Sequence, residues 1–195
     1  MTQWHDRRYL VPGAYPQMIC AESEIARPTL SATEREALAF LMPLSGDYPD
    51  IVPWFCSKVV PGLRIGTRTL LPIEREGRLV GLGIGKREEA ERKICTVRVA
   101  PSHMGRGIGL RIFDGLLKWL NVDKPHLTVS EGKLAAFERI FDWYGFDLTS
   151  VRSGVYIPNS SELGYNELKS TLDNKGLAQS WPDSLHDSVK LKPLG

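Results

Sequence analysis

The stretch that most constrains this chain is Val97-Arg98-Val99-Ala100-Pro101-Ser102-His103-Met104-Gly105-Arg106-Gly107-Ile108-Gly109-Leu110. Val97 and Val99 alternate with polar neighbours, the pattern of a half-buried strand. Pro101 ends that strand, because proline has no amide hydrogen for a ladder. Gly105, Gly107 and Gly109 stand at every second position and let the backbone approach a ligand closely. An amphipathic helix follows, with Ile112, Phe113, Leu116 and Leu120 as its apolar stripe and Arg111, Asp114 and Lys118 toward water. A helix entered through glycines offers unpaired amides and the positive end of its dipole to a phosphate or pyrophosphate. The spacing excludes two familiar loops. No lysine follows the glycines as a G-x-x-x-x-G-K-[ST] loop requires, and the run is G-x-G-x-G rather than G-x-G-x-x-G.

The remaining chain is laid out around that unit. With 195 residues and roughly 100–200 per domain, one domain is expected. A net charge of +2 gives no general attraction to nucleic acid. Cys20, Cys56 and Cys95 are odd in number and lack metal-ligand spacing; they read as reduced thiols of a cytoplasmic protein, with no metal. No apolar run reaches membrane length, and Met1 to Tyr9 lead into no apolar signal segment. Tyr15 to Cys20 reads as a first strand. Ser31 and Glu34 have capping-box spacing before a helix with Leu38, Leu41 and Met42 inward. A second helix is expected from Asp50 to Val60, closed by Pro61-Gly62.

A hairpin follows, Thr67 to Arg75 and Arg78 to Lys86 around Glu76-Gly77. Gly81, Gly83 and Gly85 lie within its second strand and mark close approach of a backbone or helix rather than a phosphate loop. The strand through Cys95, Val97 and Val99 comes next. After the glycine loop and its helix, His126 to Ser130 reads as a short strand. A helix with Leu134, Phe137, Ile140, Phe141 and Tyr144 on one side ends at Gly145. Phe146 to Val151 and Gly154 to Pro158 are expected as the last strand pair. The tail from about Glu167 has weak periodicity. The division is therefore an extension over 1–15, a domain over 16–166 and an appendage over 167–195.

Met104-Gly105-Arg106-Gly107-Ile108-Gly109 resembles the coenzyme A loop of the GNAT superfamily of N-acetyltransferases, [Q/R]-x-x-G-x-[G/A] opening a helix, with methionine at the Gln/Arg position. Ile140-Phe141-Asp142-Trp143-Tyr144-Gly145-Phe146 resembles that family's second signature, L-Y-x-x-x-G-F, with Phe141 at the tyrosine. The resemblance spans roughly Pro16 to Asn166. It implies an α/β (α+β) fold: a central mixed, mostly antiparallel sheet, splayed between its fourth and fifth strands and flanked by helices.

It also implies acetyl-CoA as co-substrate. Val97 and Val99 would meet the pantetheine amides, and Met104, Gly105, Arg106, Gly107, Ile108 and Gly109 the pyrophosphate. Ser130 and Phe141 would lie at the reacting end. Trp54 and Phe55 would line an acceptor pocket or simply pack in the core. An attacking amine must lose a proton, and the departing thiolate gains one. The position of the base found in some family members falls on Lys93, a poor base, with Glu91 two residues earlier. Glu131 is a candidate base or a carboxylate at a helix N-terminus, and Tyr144 a candidate acid or a core aromatic.

The resulting expectation is acetyl transfer to a primary amine on a small molecule, a protein or an aminoacyl-tRNA. The tRNA version draws on Arg64, Arg68, Arg75, Arg78, Lys86, Arg87, Arg92 and Lys93 around the hairpin. The alternative is a fold of this kind that binds acyl-CoA or a partner without transfer. A homodimer is left open.

Overall fold

A computed structural model describes residues 29–167. The expected strand at Tyr15 to Cys20, the extension over 1–15 and the appendage beyond 167 lie outside the described residues. Glu167 itself, taken as the start of the tail, belongs to the body: it is buried and tied to Ser150, Arg152 and His126.

Ser31 caps α1 (Ala32–Leu41) with a full capping box: its hydroxyl accepts the Glu34 amide, and the Glu34 carboxylate accepts the Ser31 amide. Ala37 and Leu41 face the core, whereas Met42 is exposed and not part of the stripe. The second helix does not stop at Pro61-Gly62. It runs as α2 (Ile51–Trp54), a π turn (Phe55–Val59) and α3 (Val60–Ile65), ending at left-handed Gly66. The π turn lets Val60 donate to Phe55, five residues back, and widens the helix where Pro61 has no amide to give.

β1 (Arg68–Arg75) and β2 (Arg78–Arg87) form the expected hairpin, with Glu76 and Gly77 both at positive φ (51° and 70°). β3 (Arg92–Val99) pairs with β2, and the glycine loop leads to α4 (Ile108–Leu120). β4 (His126–Ser130), α5 (Leu134–Tyr144), β5 (Leu148–Ser153) and β6 (Ser161–Tyr165) complete the described chain. The last strand is thus Ser161–Tyr165 and not Gly154 to Pro158. Gly154 (φ 71°) and Asn159 (φ 64°) turn the backbone, and Pro158 cannot donate to a ladder, so 154–160 forms a loop.

The sheet runs β1-β2-β3-β4-β6-β5; only β3 and β4 are parallel. One face carries α4 and α5 over Val80, Ile94, Leu127, Val129 and Leu163. The other carries α1 to α3 over Leu82 and Ile84. The glycines of β2 are explained by α4. A Cβ on Gly81 would lie 2.6 Å from Ile108 Cγ2, and one on Gly83 2.4 Å from Ile112 Cγ2. Helix and strand are in backbone-close contact there.

Candidate active site

The parallel pair β3–β4 is short. Lys93 faces His126 and Ile94 faces Leu127, and among the described residues no further pairing joins the two strands. The break coincides with a bulge. Ile84 pairs with Thr96 and Gly85 with Ile94, so Cys95 is the extra residue. Beyond it β3 stays with β2 while β4 follows β6, and a wedge opens between them. The Ala100 amide donates to Val80. By antiparallel alternation Arg98 and Thr96 also turn to β2, and the amides and carbonyls of Val97 and Val99 point into the wedge.

The glycine loop sits at one end of this wedge. Gly105 and Gly107 both have φ 73°, with open space where a Cβ would be. Gly107 caps α4, and the first helical bond is donated by Arg111, which leaves the amides of Ile108, Gly109 and Leu110 without intrahelical partners. Met104 and Arg106 are exposed beside them. Gly109 does more than open the helix: a Cβ there would lie 3.2 Å from Ile140 Cδ1, so it also seats α4 against α5.

At the other end β4 sends His126, Thr128 and Ser130 to one face and buries Leu127 and Val129 on the other. Opposite Ser130 on β6 is Glu162, 3% exposed. Burial pushes its carboxyl up to about 7, against a Thr128 hydrogen bond and the charges of Lys93 and Arg152. Its Oε1 has no hydrogen-bond partner among the described residues. The Thr128 hydroxyl is within hydrogen-bonding reach of both Glu162 and the Tyr156 phenol. Tyr156, from the 154–160 loop, also lies beside Cys95 at the bulge. Tyr48, from the loop between α1 and α2, packs edge-on against Tyr156 at 5.2 Å and accepts the Ser130 amide. Burial, and then the Glu162 charge, raise both phenols above their ordinary value.

Next to this group runs a buried ion network. Lys86 Nζ donates to Glu91 at 2.8 Å, and His126 lies 3.0 Å from both Glu91 and Glu167. Burial alone would raise the Glu91 carboxyl. The hydrogen bond from His126, the charge of Lys93 and the bond from Lys86 instead hold it well below the usual carboxylate range. Glu91 is therefore committed to structure, and Lys93 is buried at 3% exposure.

Several expected site residues fall elsewhere. Trp54 and Phe55 are 3% and 0% exposed, in the core between α1 and the sheet, and line no described cavity. Phe141 is buried against Tyr165, with rings 4.5 Å apart, in an aromatic cluster with Phe113 and Phe146. The Tyr144 hydroxyl donates to Asp114 on α4 at 2.5 Å and its ring stacks on Phe146, at the C-terminal end of α5. Glu131 is exposed in the 3-10 turn Glu131–Lys133 just past β4. Ser130 ends β4, beyond the last pair that joins β4 to β3 and opposite Glu162. Among the basic residues of the hairpin region, Arg68, Lys86 and Lys93 are buried and add nothing to a surface patch.

Tyr48, Thr128, Tyr156 and Glu162 carry no signature. The one trace in sequence is the alternation Glu162-Leu163-Gly164-Tyr165, which puts Glu162 and Gly164 on the face opposite Leu163 and Tyr165. No described helix is long and apolar enough to cross a membrane, and among the described residues no disulfide joins Cys56 and Cys95.

Residues 39–136, just over half of the chain, match the model of the acetyltransferase (GNAT) family. The chain belongs to this family. Solved structures of similar fold include the ribosomal-protein-S18-alanine N-acetyltransferase from Escherichia coli (17% identity, TM-score 0.56, 70% of this chain and 88% of that one). Another is the ribosomal-protein-alanine N-acetyltransferase from Brucella melitensis (20%, 0.55, 70% and 94%). A third is an aminoglycoside 6'-N-acetyltransferase complexed with coenzyme A (12%, 0.52, 74% and 93%). At these identities the likeness is one of fold. No curated protein matches the chain in sequence.

Proposed function

We propose that this protein is an acetyl-CoA-dependent N-acetyltransferase that transfers acetyl directly to a primary amine. The observation that carries this reading is the wedge itself: Val97 and Val99 aim backbone groups into it, with the glycine loop at one end and Glu162 at the other. A pantetheine arm is an extended chain with two amides and fits a strand edge opened on one side. The amides at the start of α4, with Arg106 beside them, suit a pyrophosphate. Acetyl-CoA supplies an activated acyl carbon and a thiolate leaving group.

The chain's own groups then move protons. Glu162 takes one from the bound ammonium, because only the neutral nitrogen has a lone pair to attack with. As the C–N bond forms and the C–S bond breaks, the Tyr156 hydroxyl gives its proton to the sulfur. The surplus proton on the nitrogen restores Tyr156. Thr128 donating to an ionised Glu162 suits the base, and burial, which raises the Tyr156 phenol, keeps its proton in place until the sulfur takes it. Glu162 loses its proton to water, so one ammonium and one thioester give one amide, one thiol and one proton.

The CoA part of this reading is tested with Gly107→Glu. The site has room for a side chain, and left-handed backbone costs about 1–2 kcal/mol. The variant is therefore expected to keep its circular dichroism and to lose at least a hundredfold in acetyl-CoA affinity by calorimetry. Unchanged affinity would remove the loop from the site. A second reading, CoA binding without transfer, draws on Phe141 at the family's tyrosine position. It expects binding with no amine-dependent thiol release.

A further inference from the structure

The group around Glu162 encloses a cavity of about 20 Å³, with Asp47, Ser130, Tyr156 and Ser160 among its walls. A space of roughly 10–15 Å³ on this measure already holds one water, so this one admits a single small group and little more. Glu162 lines it, is 3% exposed, and has a carboxylate oxygen without a described donor. A buried carboxylate oxygen calls for a donor. An ammonium is about the size of water and brings three. Asp47, its side chain 32% exposed, also lines the cavity and is already paired with Lys133 at 3.2 Å.

The walls decide what else can follow the nitrogen in. Tyr156 is the aromatic wall, held by Thr128 and backed edge to face at 5.2 Å by Tyr48, which accepts the Ser130 amide. Val155 and Ile157 close the apolar side. A nitrogen on an unbranched CH2 threads such a slot. A nitrogen on a carbon bearing a methyl and a carbonyl, as at an N-terminal alanine, places two substituents against Tyr156, Val155 and Ile157.

We infer that the acceptor is a primary amine on an unbranched methylene, entering nitrogen first into the cavity of Glu162, and that α-branched amines are rejected by its aromatic and aliphatic walls. The inference rests on the proposed acetyl transfer and narrows its acceptor. Such an amine has two sources, the lysine side chain of a polypeptide or a free alkyl amine.

The test follows thiol release from acetyl-CoA by the full chain with three acceptors. They are Nα-acetyl-lysine methylamide, 1,4-diaminobutane and alanine methylamide. One of the first two is expected to exceed alanine methylamide at least tenfold in kcat/KM, and which of them leads identifies the source. Ile157→Ala, which widens the slot without touching Glu162, is expected to shrink that ratio by raising the rate with alanine methylamide. Equal rates, or preference for alanine methylamide, would overturn the inference. So would bound acetyl-CoA with no turnover of either unbranched amine. Failure of acetyl-CoA to bind would instead overturn the reading beneath it.

Discussion

Glu162 shows how one residue's surroundings set its chemistry. On an exposed strand it would titrate near 4 and be a weak base at neutral pH. Buried opposite Ser130 it is pushed up to about 7, despite Lys93 and Arg152. A base must be unprotonated to act, so kcat/KM should rise with pH across about 7 and level off above it. Glu162→Gln should lose that limb and about 10²–10⁴-fold in rate, the usual worth of a positioned acid or base. A pH–rate profile of both proteins checks this; an unchanged limb in the variant would assign it to another group. Tyr144 makes the contrast. Burial raises its phenol, the Asp114 carboxylate raises it further, and its O–H stays protonated, donating a hydrogen bond to that carboxylate.

At the scale of elements, β2 and α4 define each other. The alternate glycines of β2 have no side chains on the α4 face, so Ile108, Ile112 and Leu116 fill that space. The apolar stripe of α4 therefore rests almost on backbone, and this contact fixes where the helix begins and where the glycine loop stands. Gly83→Ala places a Cβ 2.4 Å from Ile112 Cγ2 and 2.9 Å from Leu116 Cδ1. Overpacking of this kind costs about 1–3 kcal/mol. Urea unfolding should show that loss for Gly83→Ala. Gly46→Ala, where a Cβ meets nothing within 4 Å, should stay within about 0.5 kcal/mol of the parent. Equal stabilities would mean that α4 does not press on β2.

The described residues form one six-stranded sheet that is nearly parted between β3 and β4. α1 to α3 cover one face over Leu82 and Ile84, while on the other face a single core under α4 and α5 runs from Val80 and Ile94 to Leu127, Val129 and Leu163. Between β3 and β4 only Lys93–His126 and Ile94–Leu127 pair. The ion network of Lys86, Glu91, His126 and Glu167 ties the strands at that same end. Bound acetyl-CoA is expected to bridge the open end. Hydrogen exchange should find the Val97 and Val99 amides fast in the free protein and slowed by acetyl-CoA, with Thr96 and Arg98 protected in both states. Protection of Val97 and Val99 before ligand is added would contradict an open wedge.

The sequence by itself determined the parts whose cause is local. Ser31 and Glu34 cap a helix through their own side chains. Glu76-Gly77 turns a hairpin because both residues accept positive φ. The loop before α4 is set by two glycines at φ 73°. Val97 and Val99 were placed by alternation along a strand. The cluster proposed to move protons was not legible, because Tyr48, Thr128, Tyr156 and Glu162 come from four separate segments and meet only when β6 inserts between β4 and β5. Reading Gly154 to Pro158 as the strand hid Glu162, since pairing, not propensity, selects which residues of 154–165 join the sheet. Trp54 and Phe55 were ambiguous for the same reason: a helix of this composition shows an apolar face, but only packing reveals whether that face meets core or substrate. Backbone conformation is a short-range property and was written in the residues. Burial, and the carboxyl it pushes up, depend on what the distant chain brings alongside.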